Sequence, residues 1–236
     1  MRATVCLPTY NECENLPRMI DALRGVLREG DRVLVIDDNS PDGTGGIADA
    51  LAAEHPFVDV LHRQEKEGLG RAYVAGFHRA LEGGAELVLE MDCDFSHDPA
   101  DVARLIAAAE NGADLVLGSR YVAGGSTRNW GLTRRLISRG GSMYTALFLH
   151  MGVKDPTGGF KCFRRPVLER LDLDAITPRG YAFQIEMTYR VKQAGFTVVE
   201  IPIMFVDREV GQSKMSRSVV LEAIWRVPLL RLRGKA

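Results

Sequence analysis

Along the first half of the chain, short runs of consecutive apolar residues alternate with longer stretches whose apolar positions recur every three or four residues. The short runs, Ala3 to Leu7, Arg32 to Ile36, Phe57 to Leu61, Glu86 to Met91 and Asp114 to Leu117, read as buried strands. Between the first two, Leu16, Met19, Ile20, Leu23, Val26 and Leu27 mark one face of a helix, with Gly30 as its stop. Further helices are expected at Thr44 to His55, at Leu69 to Leu81, and from Pro99, which suits a first helical position, to Asn111. This alternation predicts a single doubly wound α/β domain built on a mostly parallel sheet. In such a sheet ligands bind beyond the carboxyl ends of the strands.

After Gly118 the rhythm breaks. The segment to Gly141 carries Arg120, Arg128, Arg134, Arg135 and Arg139 with no acidic residue, and predicts a long loop entering a helix. A helix near Tyr181 to Gln193, a strand near Phe196 to Ile203, a polar stretch from Asp207 to Ser218 and a final helix follow. No linker marks a boundary, so residues 1–236 are expected to form one domain.

Composition adds bounds to this picture. The chain has 236 residues, is 46 % hydrophobic and has a formal charge of −1, so no global charge favours nucleic acid. A domain of this size buries roughly 70 to 75 % of its unfolded surface, enough for a core without staples. Cys6, Cys13, Cys93 and Cys162 show no paired spacing and no clustered histidines, which indicates neither a zinc site nor a disulfide framework. The N-terminus lacks the pattern of a signal peptide. The longest charge-free run, Gly140 to Val153, is too short for a bilayer that needs about 20 apolar residues.

The strand ends carry the candidate chemistry. The first ends in PTYNE with no glycine fingerprint, and no phosphate-loop motif occurs, which disfavours a dehydrogenase and a P-loop NTPase. The second ends in Asp37-Asp38-Asn39-Ser40-Pro41-Asp42-Gly43-Thr44, which suits either ribose or base recognition or a turn capping the next helix. The fourth ends in Asp92-Cys93-Asp94, two oxygen donors whose chemistry suits Mg²⁺ or Mn²⁺ if the chain bends there. The arginine-rich segment makes a local positive field whose forks match phosphate. Arg208 to Lys214 has the make-up of a phosphate-covering loop or of a plain connector. The histidines are scattered, and no nucleophile signature accompanies them.

Taken in order, LPTYNE, IDDNSPDGT, MDCDFSHDP, GSRY, DPTGGFK, FQIEM and FVDREVGQSK resemble the family 2 glycosyltransferases, in particular the dolichyl- or polyprenyl-phosphate mannose synthases. The resemblance runs from Val5 to about Ser216. It implies a GT-A fold and metal-dependent, inverting transfer of mannose from GDP-mannose to a polyprenyl monophosphate in a membrane. Carried onto this chain, Pro8, Tyr10 and Glu12 would line the nucleotide pocket, with Ile36 and Asp38 at guanine or ribose. Asp92 and Asp94 would bind the metal, Cys93 touching the donor through its backbone where the family commonly has Ala. Arg120 would reach the phosphates, Arg208 and Lys214 would close over the diphosphate, and Arg120, Arg134 and Arg135 would hold the acceptor phosphate.

The acceptor's location implies a cytoplasmic protein lying peripherally on the membrane's cytoplasmic face. Val219, Val220, Ala223, Ile224 and Val227, beside Trp225 and a basic end, make 217–236 a candidate amphipathic contact, or else a helix packed on the core. A UDP-glucose-dependent relative using the same acceptor, a non-catalytic nucleotide-sugar-binding subunit and recruitment by a membrane-protein partner stay open.

Overall fold

A computed structural model of the chain describes residues 1–176, 181–207, 227, 228, 230 and 231. Its first half is β1 (Ala3–Thr9), α1 (Asn15–Arg24), β2 (Arg32–Asp37), α2 (Thr44–Glu54), β3 (Val58–His62), α3 (Leu69–Glu82), β4 (Leu87–Glu90), α4 (Asp101–Glu110) and β5 (Leu115–Ser119). There follow β6 (Ser126–Arg128), α5 (Leu132–Phe148), β7 (Lys161–Arg164), α6 (Arg165–Arg170), α7 (Tyr181–Gln193), β8 (Val198–Pro202) and β9 (Met204–Val206).

Seven strands form one sheet in the order β3-β2-β1-β4-β7-β5-β8. All neighbours are parallel except β7, which runs antiparallel between β4 and β5. Alternate side chains of each strand enter two cores. Cys6, Leu34 and Ile36 pack with α3 and α7, while Val5, Leu7, Val33 and Val35 pack with α1 and α4. The expected doubly wound, mostly parallel domain is therefore present. The chain winds from β1 to β3 at one edge and then returns to place β4 on the other side of β1. That reversal opens a crevice beyond the ends of β1, β2 and β4.

Three local readings change. α1 stops at Arg24, where Gly25 caps it, and Gly30 instead serves the next turn at φ 88°. Val26 and Leu27 still pack on the core beyond the helix end, which is why they extended the apolar pattern. α4 begins at Asp101, two residues after Pro99. The arginine-rich loop contains β6, which pairs with β9 in a separate two-stranded sheet, and the charge-free run Gly140 to Val153 becomes the second half of α5 and the turn after it.

Candidate active site

The crevice is a cavity of about 350 Å³ whose walls come from the ends of β1, β2, β4 and β5 and from α3, α5, α7 and β9. Pro8, Tyr10, Glu12, Asp38, Asp92, Cys93, Asp94, Arg120 and Arg134 all line it. The loops after β1, β2 and β4 each bend through a residue in the left-handed region: Asn11 (φ 59°), Asn39 (φ 55°) and Phe95 (φ 58°). Asparagine tolerates that conformation, but for a phenylalanine it is strained, and such strain collects at sites where geometry is imposed.

The second loop divides its acids between two tasks. Asp37 holds the turn, accepting the Ser40 hydroxyl at 2.6 Å and the Thr9 hydroxyl at 3.2 Å. Asp42 takes the Thr44 hydroxyl at 2.6 Å and the amide of Cys13 at 3.2 Å, tying the start of α2 to the first loop. Asp38 alone faces the cavity. Its burial raises its pKa above the ordinary carboxylate value, and Arg63, paired with it, opposes that rise. Lys66, on the rim, lies with Nζ 3.4 Å from the centre of the Tyr10 ring.

At the end of β4 the two carboxylates are held from different sides. Tyr73, buried in α3, donates its hydroxyl to Asp92 Oδ1 at 3.3 Å, and the amide of Ser96 donates to Asp94 Oδ1 at 3.0 Å. His97 lies beneath, stacked on Phe160 at 4.8 Å and edge-on to Phe205 at 5.3 Å. Its Nδ1 is 3.4 Å from the Asp92 amide, an acceptor role that places the ring proton on Nε2. Burial pushes its pKa down to about 4, so the ring is neutral at pH 7. Two hard carboxylates in one open cavity fit Mg²⁺ or Mn²⁺. Among the described residues no third acid, histidine or cysteine completes a metal cluster, so such an ion would take its remaining ligands from phosphate and water.

Several expectations are corrected. Ile36 is fully buried in the core against α3, where Gly76 makes room for it, so its side chain does not face the cavity. Arg120 lines the cavity, but its Nε and Nη2 donate to Asp155 at 2.7 and 2.6 Å and Nη2 also reaches Thr157. It is held in the wall by Asp155 while still bordering the cavity. Arg135 points away, toward the carbonyl of Thr127 at 3.3 Å. Arg134 faces the cavity, stacked over Trp130 at 4.3 Å and paired with Asp207 at 2.7 Å. Arg208 and Lys214 lie outside the described residues.

Sequence reasoning passed over Lys66, His97, Thr157, Gln184 and Phe205, which also line the cavity. His97, Thr157 and Gln184 stood inside motifs already singled out, FSHDP, DPTGGFK and FQIEM, yet no chemistry was attached to them.

The four described residues of the tail fit the alternative of a segment packed on the core. Val227 is buried in the core, Leu230 packs against it, and Arg231 donates to the carbonyl of Phe148 at 3.0 Å, so these residues turn inward. Among the described residues an exposed apolar face lies on α5. Leu132, Leu136, Met143 and Leu147 are 75, 72, 61 and 67 % exposed, and their spacing puts them on one side of the helix. Among the described residues no helix is long and apolar enough to cross a membrane.

Known proteins agree with this architecture. The chain is 49 % identical over 227 residues to an undecaprenyl-phosphate mannosyltransferase of Micrococcus luteus, covering 96 % of this chain and 93 % of that one. It is 46 % identical over 235 residues to a polyprenol monophosphomannose synthase of Mycolicibacterium smegmatis, covering 99 and 88 %. Among solved structures, a mannosyltransferase of Pyrobaculum calidifontis in complex with GDP-Man and Mn²⁺ superposes with a TM-score of 0.63 at 18 % identity, over 99 % of this chain and 73 % of that one, which establishes a shared GT-A fold. The glycosyl transferase family 2 model matches residues 4–172, most of the site's loops among them, and the chain belongs to that family.

Proposed function

We propose that the protein transfers mannose from GDP-mannose to a polyprenyl monophosphate, with inversion at the anomeric carbon. The observation that carries this reading is that Asp38, Asp92, Asp94 and Arg134 open onto one cavity at the switch point of the sheet. Similarity along nearly the whole chain to two enzymes named for this transfer supports it.

Asp38 and Glu12, beyond the carboxyl ends of β2 and β1, would accept hydrogen bonds from ribose or guanine, with the Tyr10 ring in the same cavity. Asp92 and Asp94 would hold Mg²⁺ or Mn²⁺, which supplies positive charge to the departing diphosphate. Arg208 and Lys214 would cover that diphosphate from the segment that follows Asp207. Arg134 holds the acceptor phosphate, its guanidinium fixed in plane by Trp130 and Asp207. Arg120, clamped by Asp155, positions the wall and lends it positive charge.

The attacking group needs little help. A phosphate monoester, with a second pKa of about 6, is already anionic at neutral pH. His97 is neutral and enclosed by two rings, which fits a mechanism without a general base. Its task is to hold the backbone at Asp92.

The acceptor's chain lies in a bilayer, and the apolar face of α5 is the surface that would meet it, with the exposed Arg139 of the same helix available to anionic headgroups. This makes the protein peripheral to the membrane, on the cytoplasmic side, with or without a membrane-protein partner. The test offers radiolabelled GDP-mannose and UDP-glucose with a short polyprenyl phosphate, with and without Mn²⁺. Label should pass from GDP-mannose to lipid only when metal is present. Preference for UDP-glucose would overturn the mannose assignment, and release of no labelled lipid from either donor would overturn the transfer itself.

A further inference from the structure

We infer that Phe205 is a positioning residue for the transfer: its ring is the spacer that sets the separation between the acids Asp92 and Asp94 and the guanidinium of Arg134. This rests on the reading of the cavity as a nucleotide-sugar site with Arg134 at the acceptor phosphate, and it names the part that keeps those two halves in register.

Phe205 stands on β9, half-buried in the cavity wall. Its ring meets His97 edge-on, with centroids 5.3 Å apart, and His97 Nδ1 is 3.4 Å from the Asp92 amide. The same ring meets Trp130, again edge-on at 5.3 Å, and Trp130 carries the Arg134 guanidinium over its face at 4.3 Å. Edge-on contact is an attractive geometry for aromatic pairs, so both contacts resist sliding. The backbone repeats the link. The Val206 amide donates to the Ser96 carbonyl, in the loop after β4, at 3.1 Å. The Asp207 amide donates to the Arg128 carbonyl at 3.1 Å, while the Asp207 carboxylate pairs with Arg134. Residues 205 to 207 thus touch the donor half and the acceptor half by ring, amide and carboxylate.

Ordinary core packing does not account for this ring. Among the described residues neither of the two cores contains Phe205 or Trp130, and β6 and β9 are only 3 residues each. Two strands so short hold little by themselves, so the ring cluster is what pins β9. The donor diphosphate and the attacking phosphate are both anionic, and attack requires them to be held in line. A displacement of about 1 Å can cost on the order of 100-fold in rate. An uncharged ring wedged between His97 and Trp130 sets that separation without adding to the binding of either ligand.

The experiment measures kcat and both KM values for the wild type, Phe205→Leu and Phe205→Tyr, beside melting temperatures and calorimetry of GDP with Mn²⁺. The donor is GDP-mannose or UDP-glucose, whichever the wild type turns over, so a failed mannose assignment shows in the wild type and leaves the Phe205 comparison intact. Phe205→Leu should lose about 10- to 100-fold in kcat, hold both KM values within about 3-fold, and bind GDP as the wild type does. Phe205→Tyr keeps the ring and should recover most of the lost kcat. Phe205→Met, which fills the space with a flexible chain, replaces the Leu variant if that one does not fold. A cycle of melting temperatures tests the chain of contacts without turnover. Phe205 and Arg134 share Trp130, so Phe205→Leu combined with Arg134→Ala should lose less than the two single losses added. Wild-type kcat in a folded Leu or Met variant, a raised KM at unchanged kcat, an equal loss in the Tyr variant, or strictly additive melting losses would each overturn the proposal.

Discussion

The Asp155 carboxylate grips Arg120 through both Nε and Nη2, at 2.7 and 2.6 Å, with neither side chain more than 4 % exposed. Burial alone would raise the Asp155 pKa, yet the guanidinium beside it holds the carboxyl below the ordinary value. The pair joins the end of β5 to the turn that precedes β7, and so carries the cavity wall between them. Removing one partner leaves a buried charge uncompensated, which costs about 3–5 kcal/mol. Asp155→Ala should therefore lower Tm by roughly 10 °C in a chain of this size. Replacing both residues with apolar ones should recover part of that loss, and a thermal melt of the single variant that matches the wild type would contradict the assignment.

Arg134 is tested by separating donor from acceptor. Its guanidinium is stacked on Trp130 and paired with Asp207, beyond the acids at β2 and β4. A charge-assisted hydrogen bond contributes about 1.5–3 kcal/mol, so Arg134→Ala should reduce acceptor kcat/KM by roughly 10- to 100-fold. The KM for GDP-mannose should change little. The reverse pattern removes Arg134 from the acceptor site.

The face of α5 makes a prediction about membranes. A leucine side chain taken out of water contributes about 1.5–3 kcal/mol. Leu136→Asp combined with Leu147→Asp should cut co-sedimentation with anionic vesicles at least roughly 10-fold, while GDP binding stays the same. A chain ended after Arg217 provides the comparison: if that truncation abolishes sedimentation and the α5 variant does not, the membrane contact lies in the tail.

His97 gives a pH dependence with a definite sign. Its ordinary value is 6.5 and burial lowers it to about 4 in the folded protein. Between those values the unfolded chain takes up a proton that the folded chain refuses. The contribution to stability is thus complete above pH 6.5 and is lost as pH falls toward 4, by up to about 1.4 kcal/mol per pH unit. His97→Asn should flatten that part of the melting profile, measured from pH 7 to 4 with chelator present. An unchanged slope would show that the ring titrates normally.

Much of the scaffold was legible because its signals are local. The apolar runs that become β1, β2, β4 and β5 are buried on both faces and read as nearly unbroken hydrophobic segments, while β3, at the sheet edge, is only partly buried. β7 was missed because Lys161-Cys162-Phe163-Arg164 is charged at both ends and its burial comes only from neighbours far away in sequence. The acids at the strand ends were found because residue type and strand position point the same way. Ile36 was misplaced for the opposite reason: whether an isoleucine meets a base or a helix is decided by tertiary contact, as is the Asp155 that Arg120 meets 35 residues on. Phe205 opens the motif FVDREVGQSK, yet its place between His97 and Trp130 depends on β9 pairing with β6.

The central claim is that Asp92 and Asp94 hold a divalent ion against the diphosphate of the donor. Its most direct test is isothermal titration of GDP into the wild type and into Asp92→Ala, each with Mn²⁺ and then with EDTA. GDP should bind the wild type at least roughly 10-fold more tightly with Mn²⁺, a difference of about 1.4 kcal/mol, and that gain should vanish in Asp92→Ala. Equal affinity in the wild type with and without the metal would contradict the account.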